Sequence, residues 1–529
     1  MKKIFLLSLL PLALMFAAAQ NALSQIQSAK TTGGEVQGAV AGAVASFKGI
    51  PFASPPVGDL RWKAPQPVKP WTGVKKADAF APGCMQDPVL ASAFGAPTNF
   101  SEDCLYLNVW TSAKNADAKL PVMVWIYGGG FALGATNVQL YDGTKFAQKG
   151  VVLVSVAYRV GPFGFLAHPE LTRESGKGSG AYGLQDMIAG LRWVKENIAQ
   201  FGGDPSRVTI FGESAGGIAV SMLAASPRAK GLFHRVISES GGSFAPVRLA
   251  NEGGQSVPNL QMAETDGKKF LADLGAGDIM AGRALSADQI QKSAGGNLGR
   301  FWPVADGEVL IGDQYELYQA GRFNDTPVLI GTNSDEGALF VRSAVTPAAF
   351  EKQIREGYGA QADTILNAYP HSTDKEAFKS TKDMFRETAF AWHTWAWARL
   401  QSQKGKGKAY VYYFDHRTSK TPDGSNHGEE ISFVFGNPAP AIFSLPSQPG
   451  DGKLSELMST YWINFAKSGD PNGASLPAWP AFTEKDQKAM FFDDSSSARA
   501  VPNIDKLMAL DRYYAWRREQ AKEKARPTN

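Results

Sequence analysis

The stretch "RVTIFGESAGGIAVSMLAAS" (207–226) decides the reading of this chain. After Arg207, residues 208–211 are β-branched or aromatic, as a buried strand requires, and they run into Gly212. Residues 215–226 are small and apolar, the composition of a helix packed tightly on a sheet. Between the two lies G-E-S-A-G (212–216). With 55 glycines in the chain, a G-x-S-x-G pattern alone carries little weight. Set between a strand and a helix it describes a sharp turn that exposes the hydroxyl of its serine, so Ser214 is a candidate nucleophile.

Working outward, "PVMVWIY" (121–127), "VVLVSVAYR" (151–159), "RVISES" (235–240), "PVLIGTN" (327–333) and "AYVYYFDH" (409–416) are apolar on both alternating sets. Strands covered on both faces have this signature. "GLQDMIAGLRWVKENIAQFGG" (183–203) places Leu184, Met187, Ile188, Leu191, Val194 and Ile198 at helical spacing and closes on glycines. Strands and helices alternate, which predicts an α/β fold: a central, mostly parallel sheet with helices on both faces and loop insertions. No linker, repeat or low-complexity tract divides residues 25–529, which read as one domain. Residues 1–24 carry two lysines and an apolar run, Ile4–Ala19, interrupted by Pro11. They read as a secretory signal peptide cleaved after Ala19 or after Ser24, and no later run is long enough to span a bilayer. The expectation is an exported protein, periplasmic or secreted.

The remaining composition excludes several classes. A net charge of +4 with dispersed basic residues gives nucleic-acid binding no support. The two cysteines, Cys84 and Cys104, are too few for a metal site and in an exported chain form one disulfide. No metal and no cofactor is called for.

A serine hydroxyl needs a base, and the base needs an orienting acid. Six histidines are available. In a fold with this elbow the order along the chain is serine, acid, histidine, which excludes His168, and His234 follows the elbow too closely. His393 lies in the aromatic run "FAWHTWAWARL", a packed or surface helical position, while His416 and His371 read as loop residues. His427, in the flexible polar loop "DGSNHGEE" after the last long strand, is where the base belongs. The acid should end a strand between the two, and "PVLIGTNSDEG" offers Asp335 and Glu336. One of them caps the following helical turn and spacing does not say which. "YGGGFALG" (127–134) follows a strand before the nucleophile, the position of an oxyanion loop; Gly129 and Gly130 with the N–H of Ala215 supply three donors.

"FGGDPSRVTIFGESAGG" (201–217) and "EDCLYLNVW" (102–110) resemble the two signatures of the type-B carboxylesterases, the α/β-hydrolase family that includes the cholinesterases and neuroligins. "FKGIPFASPPVGDLRW", "YRVGPFGFL", "GTNSDEG", "HGEEISFVFG" and "SGDPNG" extend the resemblance in order over nearly the whole chain. It implies Ser214 as nucleophile, Glu336 rather than Asp335 as acid and His427 as base. It further implies Gly129, Gly130 and Ala215 as oxyanion donors, a Cys84–Cys104 disulfide, and Arg61–Glu102 and Arg159–Asp186 as structural ion pairs. Glu213 resembles an acidic residue lining the family's gorge. The segment between the cysteines has no tryptophan, unlike cholinesterases, so choline esters are not expected to be preferred. Phe94, Phe100, Phe131, Phe433 and Phe435 are candidates for an aryl or alkyl pocket. The activity expected is hydrolysis of small neutral carboxylic esters; an amidase or thioesterase, or a non-catalytic adhesion member, are the alternatives.

Overall fold

The structure, a computed structural model, describes residues 25–248, 256–296 and 298–525. The N-terminal apolar run with its two cleavage points lies outside the described residues.

Eleven strands form the main sheet: β1 (Ala39–Ala41), β2 (Val44–Pro51), β3 (Tyr106–Thr111), β4 (Leu120–Ile126), β5 (Val152–Val156), β6 (Gly203–Glu213), β7 (Arg235–Glu239), β8 (Val328–Asn333), β9 (Ala409–Phe414), β10 (Lys488–Phe492) and β11 (Ser497–Ala500). Their spatial order is β11-β10-β9-β8-β7-β6-β4-β5-β3-β2-β1. The strands from β10 to β5 in that order pair in parallel, and antiparallel strands close both edges. The six apolar segments of the sequence are thus six neighbouring central strands. Every residue of β5 and of β8 is buried, because helices cover both faces.

Helix α1 (Tyr182–Asn197) buries the predicted stripe, and Gly202 at φ 76° ends the short 3₁₀ turn that follows it. Asp186 on α1 receives Arg159 N and Nε on one oxygen and Nη2 on the other, at 2.8–3.0 Å, tying the loop after β5 to the helix. Arg61 binds Glu102 through two bonds of 2.6 Å. Helix α2 (Ala215–Ala225) is buried at all eleven residues, which explains its small side chains.

Cys84 and Cys104 are joined by a disulfide that closes a segment holding one short helix, Pro88–Ala93, capped by the Asp87 carboxylate. Closing a loop of this length removes unfolded-state entropy worth roughly 3 kcal/mol. Reduction is expected to lower the free energy of unfolding by about that amount in denaturant titrations. The native oxidised protein should show no titratable thiol, and two thiols reacting freely before reduction would contradict the bridge.

Candidate active site

Strand β6 delivers its last residue, Glu213, into a turn in which Ser214 has φ 55° and ψ −125°, a conformation costly for any residue with a Cβ. Neighbouring glycines make that turn possible. A Cβ at Gly216 would lie 2.0 Å from the carbonyl oxygen of Ile126, and one at Gly212 2.5 Å from the same atom. The main chain then locks the turn, since Ser214 N donates to Glu239 O at 2.9 Å and Ile218 N to Ser214 O at 2.8 Å. Ala215 opens α2, so its amide is one of the first-turn donors without an intrahelical partner, at the positive end of the helix dipole. Beside it, Gly129 (φ 107°) and Gly130 (φ 62°) leave β4, the neighbour of β6.

Glu336 leaves β8 and His427 follows β9. His427 Nδ1 lies 2.6 Å from Glu336 Oε2, and Glu336 Oε1 accepts from Ser240 Oγ at 2.6 Å and Asn333 N at 2.7 Å. With Nδ1 donating to the carboxylate, Nε2 is left as the acceptor. Ser214, His427, Gly129, Gly130 and Ala215 line one cavity of about 240 Å³. Asp335 takes the other course: its Oδ2 meets Lys382 Nζ at 2.7 Å, and burial raises its pKa against that cation. It occupies the cap position before Glu336 but makes no side-chain cap bond.

The remaining histidines all have other partners. His168 Nδ1 accepts from Glu170 N, His234 Nδ1 from Val208 N and His393 Nδ1 from Phe244 N, while His371 Nδ1 meets Tyr369 O and His416 Nε2 meets Asp451. The loop of His427, flexible in the sequence reading, is buried, with His427 only 4% exposed; Asn333 Nδ2 reaching Asn426 O and Asp335 N reaching Ser425 O stitch it to the end of β8.

The cavity wall is aromatic and aliphatic. Phe94, from the disulfide-closed segment, faces Phe443 at 5.5 Å, and Trp302, Leu298, Phe340, Phe385 and Phe390 complete it. Of the phenylalanines read from sequence, Phe94 alone stands on this wall. Phe100 packs beside Gly83. Phe131, at φ 57°, is turned inward onto Trp302 and Phe165. Phe433 packs on Phe414 and His416, and Phe435 sits among Trp125, Phe146 and Phe211, because the turn Glu430–Phe435 presses its apolar side onto the core.

Glu213 does reach the cavity, with Oε1 3.2 Å from His427 Nε2. Burial, reinforced by the charges of Glu336 and Glu239, pushes its pKa well up. Burial also raises Glu239 to about 8 despite the 2.8 Å hydrogen bond from Trp462 Nε1. The floor beside Ser214 therefore favours protonated carboxyls. Ser240, which ends the apolar segment "RVISES", is marked by no local pattern in the sequence; its value lies in reaching Glu336 across the sheet. Among the described residues no group of three or more His, Cys, Asp or Glu is disposed to hold a metal ion.

The chain and its fold have counterparts among known proteins. Residues 25–510 match the model of the carboxylesterase family. The chain is 36% identical to a fumonisin B1 esterase of Sphingopyxis macrogoltabida over 89% of its length and 87% of the relative's. It is 35% identical to a para-nitrobenzyl esterase of Bacillus subtilis, over 92% and 98%. Two solved structures, a PNB esterase (TM-score 0.80, 33% identity, 92% and 99% covered) and a thermophilic PNB esterase (0.81, 33%, 92% and 100%), share its fold. A serine elbow at the carboxyl edge of an α/β-hydrolase sheet, in a chain matched to these enzymes over nearly its whole length, makes it a member of the type-B carboxylesterase family and a carboxylic-ester hydrolase.

Proposed function

We propose that this enzyme hydrolyses neutral carboxylic esters through an acyl-enzyme on Ser214. His427 Nε2 takes the hydroxyl proton as Oγ attacks the carbonyl carbon. The amides of Gly129, Gly130 and Ala215 hold the oxyanion, and His427 returns the proton to the departing alcohol. Water, deprotonated by the same nitrogen, then attacks the ester of Ser214, releasing the acid and restoring the hydroxyl. Glu336 accepts from Nδ1 throughout, fixing the imidazole and stabilising its cation. The observation that carries this reading is the convergence of Ser214, the glycine loop and the Glu336–His427 pair on one cavity. A fluorophosphonate probe should label Ser214 alone, and p-nitrophenyl esters should be cleaved far faster than matched anilides. Anilide or thioester turnover exceeding ester turnover would favour the amidase or thioesterase reading, and no label at Ser214 the adhesion reading.

Neutral substrates are preferred because, apart from His427, Glu213 is the one Asp, Glu, Lys, Arg or His on the described wall, and its burial favours the uncharged acid. A charged ester would lose its hydration and find no counter-charge. Specificity constants for a neutral butyrate thioester are expected to exceed those for butyrylthiocholine by about tenfold, the cost of desolvating an ammonium that meets no counter-charge. Equal constants at one ionic strength would reveal a cation site.

We also propose that residues 25–529 act as a single exported catalytic domain, supported by the N-terminal apolar run and the disulfide. N-terminal sequencing of protein recovered outside the cytoplasm tests this, with Gln20 or Gln25 as the expected first residue.

A further inference from the structure

Helix α3 (Asp374–Arg386) and helix α4 (Trp392–Lys404) are joined without a break by one π-helical turn, Glu387–Ala391. Such a turn carries one residue more than an α-helical turn, rotates the following side chains by about 100° and frees a carbonyl from its usual donor. Here the Thr388 carbonyl oxygen is 3.0 Å from His393 Nε2. The other nitrogen, Nδ1, accepts from Phe244 N at 2.9 Å, so Nε2 carries the proton. Burial lowers the pKa of His393 to about 4, which keeps this neutral tautomer in place. The clip is close-fitting: a Cβ at Gly242 would lie 2.6 Å from His393 Cβ.

The extra residue aims Phe390 at the cavity. Its ring, 1% exposed, stacks on the imidazole of His427 with centroids 4.6 Å apart and planes 15° apart. Phe340 approaches the same imidazole at 5.3 Å and is itself stacked on Phe385 at 4.4 Å. Glu336 holds one corner of the His427 ring and Glu213 Oε1 stands 3.2 Å from Nε2, two contacts at ring nitrogens that leave the imidazole a swing out of its own plane. The Phe390 face opposes that swing.

We propose that the π-helical turn, clipped by His393, makes Phe390 a positioning residue for His427, holding Nε2 in reach of the Ser214 hydroxyl. The proposal rests on the reading of His427 as base. A positioning ring and a plain pocket wall predict different kinetics. Loss of a wall changes KM and depends on the length of the acyl chain; loss of the stack lowers kcat alike for every ester, because the same proton is mistimed in each.

The test compares Phe390→Leu, Phe390→Met and Phe390→Tyr with wild type on p-nitrophenyl acetate and p-nitrophenyl hexanoate, with His427→Ala in parallel. Phe390→Leu and Phe390→Met are expected to lose about tenfold in kcat on both esters with KM within twofold, as an aromatic pair of ordinary strength implies. Phe390→Tyr, which keeps the ring, should recover to within threefold. A loss confined to one chain length or expressed in KM overturns the proposal, as does wild-type kcat in the two ring-less variants while His427→Ala is dead. Should the leucine variant fail to fold, judged by its near-UV circular dichroism, the methionine variant decides the same question. Turnover retained in His427→Ala would instead remove the base assignment itself.

Discussion

Ser214→Ala is expected to lower ester turnover by on the order of 10⁶-fold while leaving the melting temperature unchanged. The two properties separate because different atoms carry them. Only Oγ bonds to the acyl carbon, whereas the turn is held by main-chain hydrogen bonds from Ser214 N to Glu239 O and from Ile218 N to Ser214 O, which alanine keeps. Serine and alanine both carry a Cβ, so the strain at φ 55° is the same in both proteins. Steady-state kinetics on purified protein, with a thermal melt on the same sample, checks both halves. Near-normal turnover would refute the nucleophile.

His427→Ala should be about as damaging, again on the order of 10⁶-fold, since a serine without its base is nearly inert. Glu336 keeps two donors, Ser240 Oγ and Asn333 N, so its buried carboxylate is not stranded by the change. Replacing any of the other five histidines should stay within roughly tenfold, because their ring nitrogens serve backbone groups or, at His416, Asp451. The decisive comparison is kcat/KM across all six variants. A dead His416→Ala or His393→Ala enzyme beside an active His427→Ala one would overturn the placement of the base.

The sheet is legible in the sequence because its central strands are apolar on both faces, a pattern characteristic of strands buried between two layers of helix. The elbow is legible because Gly212 and Gly216 answer to one carbonyl. The edge strands β1 and β11, and β2 and β10 beside them, are not; partly exposed positions interrupt the continuous apolar run in all four. Within the candidate site, chain order leads to His427 among the histidines but leaves Asp335 and Glu336 equivalent. Only the resemblance chooses between them, since what separates them is three-dimensional: Lys382 stands beside one and His427 beside the other. The pocket is the least legible part. Phe433 and Phe435 are close to His427 in sequence yet packed away from it, while Phe340 comes from the turn just after Glu336 and Phe390 and Trp302 reach the cavity from distant segments that no local pattern links to it. The π-helical turn is invisible in "RETAFAWHTW" (386–395), where no local pattern marks it, and the contact that clips it, Phe244 N to His393 Nδ1, comes from 149 residues earlier.

The segments that meet at the cavity leave β4, β6, β8 and β9, which lie across the sheet in the order of synthesis, so the base comes from the last of them to be made. Strand β9, which precedes His427, is itself paired on its far side by β10, beginning at Lys488. A nascent or refolding chain can form α1, α2 and the first parallel pairs while it still has no proton acceptor for its serine. Long-range pairing of this kind is slow, because loop closure precedes the contacts that reward it. Enzymatic competence is therefore the last property this polypeptide acquires, and a half-made copy in the cell carries its nucleophile unarmed.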